Sequence, residues 1–490
     1  MNQSEKISQK SWHYARIGLL IFPCLPSFGA LVLLVATIVA WKQNPSEIIR
    51  KPINIGLGVL SIWLIFIALF ASDRLQGFLG LANFLPFFLF FAAFNTILKT
   101  TKQLREFSRT MAIASVPVLI FGFGQQFFRW STPPQLQFLL GWVLETGGNP
   151  PGRMASVFMY ANILAIYLAI VFILTLGLWL EQWQLFKSKF PKNPQFIFLT
   201  LTVLSSAIGI IFTNSRNAWG LIIFAIVAYG IYLGWHRLIG LVGIVVASVF
   251  GAAFGRSPWR GWLRAIVPVY FWGRLSDRYF PNRPFASLRT TQWQFAWDLA
   301  RERPLTGWGL RNFTPLYEAK MNFWLGHPHN LPLMLACETG LPATLFFCGW
   351  VGWILARGFL LLVAFDPPRP PLIRGEGEKI VYSTSPPAFD PPRPPLIRGE
   401  KEGEGEEEDK GEGKIVYSPT KIHPLHPLRN PLQNCQDRLI FFSYLVAFGG
   451  CSLFNLLDVT LFDLRINAMS WLLLAAICGI SCREKAIASQ

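Results

Sequence analysis

The chain has 490 residues, of which 52% are apolar and 14% charged, against roughly 25% charged in soluble domains, and its mean hydropathy is +0.39. These values exclude a water-soluble globule, and nucleic acid is not an expected partner for the net charge of +17. They describe an all-α polytopic membrane protein whose 43 Phe and 19 Trp fill and belt its spans.

Apolar runs long enough to cross about 30 Å of hydrocarbon lie at 17–40, 54–71, 75–98, 111–128, 155–179, 196–213, 218–234, 238–255, 331–356, 439–457 and 466–482. The first run contains Pro23 and Pro26, so the expected count is eleven or twelve. Loops 41–53, 99–110 and 181–195 hold Lys42, Arg50, Lys51, Lys99, Lys102, Arg105, Arg109, Lys187, Lys189 and Lys192 and are expected on the cytoplasmic side. Alternation then turns 129–154, 214–217, 256–330 and 458–465 outward. Lys6, Lys10 and Arg16 also ask for the cytoplasmic side, which requires a twelfth span hidden in the first run. The seven cysteines sit mostly in or beside apolar runs and give no disulfide framework.

Five regions follow: an N-terminal transmembrane bundle over 1–255, an Arg-rich outward loop over 256–330, a transmembrane region over 331–363, an insert over 364–437, and a C-terminal hairpin with tail over 438–490. In the insert a thirteen-residue segment at 364–376 recurs at 388–400, and Ile-Val-Tyr-Ser recurs at 380–383 and 415–418. Its Pro and Gly/Glu runs cannot pack a core, so a disordered cytoplasmic loop is expected. The 256–330 loop holds eleven basic residues, ten of them Arg, against four acids. A planar guanidinium fork suits bidentate recognition of phosphate or carboxylate, so an anionic ligand is expected there.

Two chemically loaded spots frame this loop. Arg216 lies in the short turn Thr213–Asn217, and His327-Pro328-His329-Asn330 precedes the next span. Two spans separate Arg216 from the loop, so parity puts Arg216 and His329 on one membrane face whatever the N-terminus does. Histidine can act as a base near neutrality, and clustered arginines can hold an anionic leaving group. A zinc site at His327 and His329 is not expected, because no Cys or Asp partner is expected near them and His423 and His426 fall in the insert. Glu338 reads as a helix-packing carboxylate, and Gly307-Trp308-Gly309 as a turn after a helix over 290–303.

The segments Arg289-x3-Trp293-x2-Ala296, Arg303-Pro304-Leu305-Thr306-Gly307-Trp308-Gly309-Leu310-x-Asn312-Phe313-x3-Tyr317, and His329-Asn330 with Gly340 beyond resemble the signature region of the bacterial O-antigen ligases. Ser215-Arg216-x2-Trp219 and Arg153-x8-Asn162-x2-Ala165 are similar to other segments of that family. The resemblance covers 150–482 without the insert, and Ala161-Asn162 stands where the family has Pro-Asn.

The resemblance implies an inner-membrane glycosyltransferase that moves a glycan from undecaprenyl pyrophosphate to a lipid A-core, saccharide or protein acceptor on the periplasmic face, with neither cofactor nor metal. His329 would be the base, Arg216 and Arg289 would hold the pyrophosphate, and Arg153, Arg303, Arg311 and Asn330 would bind substrate. O-antigen polymerases and bicarbonate transporters share features of the pattern, and His329-Asn330 favours the transferase over the transporter.

Overall fold

The computed structural model describes residues 3–185, 193–276, 284–364, 432 and 434–482. Asp277, Arg278, Arg283, Lys187, Lys189, Lys192 and nearly all of the repeat insert lie outside the described residues.

Among the described residues the fold is all-α. The helices are α1 (Gln3–Ile21), α2 (Pro26–Gln43), α3 (Pro45–Arg50), α4 (Pro52–Leu69), α5 (Arg74–Leu81), α6 (Leu85–Ile97), α7 (Thr101–Phe127), α8 (Pro134–Leu140), α9 (Ala161–Leu185), α10 (Pro194–Phe212), α11 (Arg216–Leu233) and α12 (His236–Phe254). After them come α13 (Trp259–Ile266), α14 (Val269–Leu275), α15 (Arg289–Glu302), α16 (Phe313–Met321), α17 (Leu331–Val363), α18 (Cys435–Asn455) and α19 (Leu464–Ser481).

Eleven helical segments are long and apolar enough to cross a membrane: α2, α4, α5 with α6, α7, α9, α10, α11, α12, α17, α18 and α19. They match the eleven runs read from hydropathy. The innermost are α9 and α19; α12 is the least enclosed, and its Leu241, Ile244, Val245 and Phe250 are exposed where lipid would lie.

The first run is a helical hairpin rather than one kinked span. Pro23 and Pro26 flank a turn, and α1 packs antiparallel against α2, with Ser11 donating to Gln43 at the open end (3.1 Å). Trp12 and Arg16 reach Glu106 near the start of α7 at 2.7 and 3.4 Å. Arg16 therefore sits on the same face as the basic loop 99–110. Polar residues keep α1 out of the eleven apolar segments.

Helix α17 is broken at Gly340, where φ is +80° and ψ +163°, just before Pro342. Such a break strands carbonyls inside a span, where an unpaired backbone group is costly. The segment 304–309 supplies the missing partners: Trp308 and Gly309 donate to the carbonyls of Cys337 and Glu338 (2.9 Å each), and Leu341 donates to that of Pro304 (2.7 Å). A Cβ at Gly340 would strike the Leu305 carbonyl, and one at Gly307 would strike Glu338; both glycines have positive φ. The Glu338 carboxylate accepts from the Phe313 N–H. Gly307-Trp308-Gly309 is thus a turn after α15, and Glu338 a structural carboxylate.

On the face opposite His329, Arg105 bridges Glu181 and Asp437 (2.6 and 2.7 Å), tying α7, α9 and α18. Arg438 donates to the Leu362 carbonyl at 2.8 Å, which holds the end of α17 against the start of α18.

Candidate functional site

The site is built where four connections meet on one face: the approach to α9, the α10–α11 turn, the lead into α17, and the α18–α19 turn. Asn330 is the N-cap of α17, accepting from the Leu333 N–H (2.9 Å) as capping asparagines do, while its amide donates to the Leu456 carbonyl (3.0 Å). This laces the start of α17 to the α18–α19 turn. His329, at φ +52°, brings its Nδ1 within 2.9 Å of Asp458 Oδ1.

Asp458 is buried and fully engaged. Its Oδ1 also accepts from the Val459 N–H (2.9 Å), and its Oδ2 accepts from Asn162 Nδ2 (2.7 Å). Asn162 Oδ1 in turn accepts from Arg153 (2.6 Å), whose Nε donates to the Thr213 carbonyl (2.7 Å). A continuous chain runs Arg153–Asn162–Asp458–His329. Burial alone would raise the Asp458 carboxyl, but the His329 hydrogen bond, the two histidine charges and the Val459 N–H hold it below its ordinary value. Asp458 stays ionised, and as a fixed acceptor it favours the His329 tautomer protonated on Nδ1, leaving Nε2 with the lone pair.

His327 packs edge-on against His329, with ring centroids 4.5 Å apart, and its Nδ1 accepts from the His329 backbone N–H (3.2 Å). Burial, then the His329 charge, pushes its imidazole down to about 4, with Asp458 opposing and Arg289 adding to the shift. His327 is therefore neutral at physiological pH.

The arginines close the other side. Arg216 opens α11 and reaches the Arg274 carbonyl (3.5 Å), while Arg274 Nε donates to the Asn214 carbonyl (3.4 Å). Burial lowers Arg153, the charges of Tyr160, Asp458 and Tyr270 counter it, and the charge of Arg216 adds to it. Burial and the Asp458 charge raise the Tyr160 hydroxyl, while Arg153, Arg289 and Arg274 lower it. Arg153, Arg274, Arg289 and Asp458 thus all lie within electrostatic reach of Tyr160, and Arg216 within reach of Arg153.

Arg303 and Arg311 are placed differently from the rest. Arg303 follows the last residue of α15, at the opposite end from Arg289 and roughly 20 Å along the axis, where it stacks on Trp308 at 3.9 Å. Arg311 is exposed at φ +61° with its side chain against Gly80.

The expectation that no Asp lies near the two histidines is overturned. Asp458 is remote in sequence and adjacent in space, and His327, His329 and Asp458 form a group that could hold a metal ion. Span parity already put Asp458 on the His329 face; what parity could not show is which of Asp458 and Asp463 turns inward. Asp463 instead caps α19 and pairs with Arg465 (2.8 Å).

The profile of the family described as O-antigen ligase matches residues 201–348. Residues 201–348 are thus similar to that family. The matched span holds Arg216, Arg274, Arg289 and His329, whereas Arg153, Asn162 and Asp458 fall outside it. No curated protein matches the chain.

Proposed function

We propose that the protein is a membrane glycosyltransferase of the O-antigen ligase type, acting at the periplasmic face of a bacterial inner membrane. Its donor is a glycan on undecaprenyl pyrophosphate, and its acceptor is a hydroxyl of lipid A-core or another glycan or protein. His329 Nε2 takes the acceptor proton, the freed oxygen forms a bond to the anomeric carbon, and the bond from that carbon to the pyrophosphate breaks with inversion. Arg216 and Arg289 hold the departing undecaprenyl pyrophosphate, and Arg274 stands beside them to share its charge. Asp458 orients His329 and stabilises the imidazolium formed, while Asn162 and Arg153 fix Asp458.

The observation that carries this reading is the 2.9 Å contact between His329 Nδ1 and Asp458 beside a cluster of arginines. A base, its orienting carboxylate and an anion cradle are the parts that displacement of a pyrophosphate by a hydroxyl requires. An apolar cavity of about 310 Å³ between α17, α18 and α19 adds support. It begins at Leu331, Leu456 and Thr460, beside the site, and continues to Leu355, a course suited to an isoprenoid tail.

The test is glycan transfer by purified protein from a polyprenyl-pyrophosphate donor, with and without EDTA. Transfer that survives EDTA and falls in His329→Asn is the expected result. Loss with EDTA would turn His327, His329 and Asp458 into metal ligands, and absence of transfer would remove the reading. A product joining two polyprenyl-linked glycans would make the reaction polymerisation by the same residues.

A further inference from the structure

Helix α13 takes no part in the His329 site, yet it is sharply two-faced. At 100° per residue, Trp259, Trp262, Leu263 and Ile266 share one arc, and Arg260 and Arg264 occupy another. Two of these are used inside the fold. Leu263 lies over Gly251 of α12, and Arg264 donates to the Ala252 carbonyl at 2.8 Å while stacking 4.1 Å above Trp272.

The others face away from the protein. Trp259, Trp262 and Ile266 are 65%, 61% and 80% exposed, and so, in the last turns of α12, are Phe250 and Phe254. The exposed apolar surface therefore continues from the least enclosed span and turns the corner at Gly255–Pro258, at the depth where that span ends. Tryptophans at that level, with Arg256 and Arg260 exposed beside them, make up a helix suited to the boundary between acyl chains and headgroups.

We infer that α13 is a membrane-interface anchor on the His329 side of the bilayer, with Trp259, Trp262 and Ile266 at the acyl–headgroup boundary and Arg256 and Arg260 on anionic phospholipid headgroups. A second copy of the chain is the poorer occupant, because a two-fold contact would bring these arginines near their own counterparts. The anchor bears on the site through α14, which follows it directly and whose Arg274 carbonyl receives Arg216.

The experiment attaches an environment-sensitive fluorophore to Ile266→Cys and, separately, to Arg260→Cys, in full-length protein lacking the exposed Cys348 and Cys435. The protein is held at one copy per nanodisc of phosphatidylcholine with phosphatidylglycerol. The label at Ile266→Cys is expected to emit further to the blue and to be quenched severalfold more by shallow-brominated lipid than the label at Arg260→Cys. Replacing phosphatidylglycerol with phosphatidylcholine is expected to weaken that quenching in the native background but not in Arg256→Glu/Arg260→Glu. Equal quenching at both positions overturns the anchor, as does a blue shift seen only with two copies per disc. Indifference to lipid charge in the native background overturns the role of the two arginines.

Discussion

His329 and Asp458 meet at 2.9 Å although 129 residues separate them in the chain. One stands at the mouth of α17 and the other in the turn between α18 and α19. The neighbouring Asn330 does the capping of α17, so the imidazole is not needed to end the helix. On the proposed mechanism, structure and chemistry are divided between adjacent residues, and the division can be tested.

Asn330→Ala removes the cap and is expected to cost about 1 kcal/mol, read as a lower Tm, with transfer retained. His329→Asn suits a positive φ and should leave Tm nearly unchanged while slowing transfer by roughly 10²–10⁴-fold. Wild-type rates in His329→Asn would dispose of the base.

Asp458→Asn keeps the shape of the carboxylate but releases the His329 tautomer and turns an amide toward Asn162. Its loss in kcat should approach that of His329→Ala, and the double variant should be little worse than either single change, because residues acting as a unit are not additive. Losses that multiply in the double variant would mean that Asp458 does not act through His329.

Arg289 is the first residue of α15 and Arg303 follows its last, and their variants should part company. Arg289→Lys is expected to raise KM for the donor and lower kcat, since an ammonium cannot form the bidentate fork. Arg303→Ala should leave both constants near wild type and cost about 0.5–1 kcal/mol through its lost stacking on Trp308. A donor KM raised in Arg303→Ala would bring that residue back to the substrate.

His327 gives the protein an acid-sensitive stability. Its imidazole is pushed down to about 4 from an ordinary value near 6.5, so between those values the unfolded chain binds a proton that the folded chain refuses. Stability is complete above about 6.5 and falls toward pH 4, by roughly 3 kcal/mol at most. Asp458, held below its ordinary value, acts only below that window. Thermal melts of wild type and His327→Gln between pH 7 and pH 4 check this; the variant should lose less, and parallel curves would count against it.

The ends of the repeat insert are held together by Arg438 and the Leu362 carbonyl, on the face away from His329. Replacing 364–433 with a short Gly/Ser linker should leave membrane insertion, Tm and transfer close to wild type, since loop length changes closure entropy slowly. Loss of transfer with insertion intact would give the insert a function.

Hydropathy made the eleven spans legible, because a bilayer demands about twenty apolar residues per pass and little else produces such runs. Helix α1 escaped that reading: Lys10 and Arg16 depress its mean, although its partners on α2 and α7 receive it. Parity placed Arg216 and His329 on one face, and hydrogen bonds then tied Asp458 and Asn162 to His329 across the bundle, which no local pattern encodes. Counting arginines in the 256–330 loop could not separate Arg289 from Arg303, because charge tallies carry no helix length. The signature around Gly307 was visible as a motif, but its work, mending a broken span, appears only when Gly340 is seen beside it.

That mend has a mechanical consequence. Arg289 opens α15 and His329 immediately precedes the N-cap of α17, and the two helices are fastened through the backbone at 304–309. A donor that tugs on Arg289 therefore loads the same strut that carries the imidazole. Grip on the leaving group and aim of the base would then move as one lever, and a substrate bound by only half of the site would leave the other half out of position.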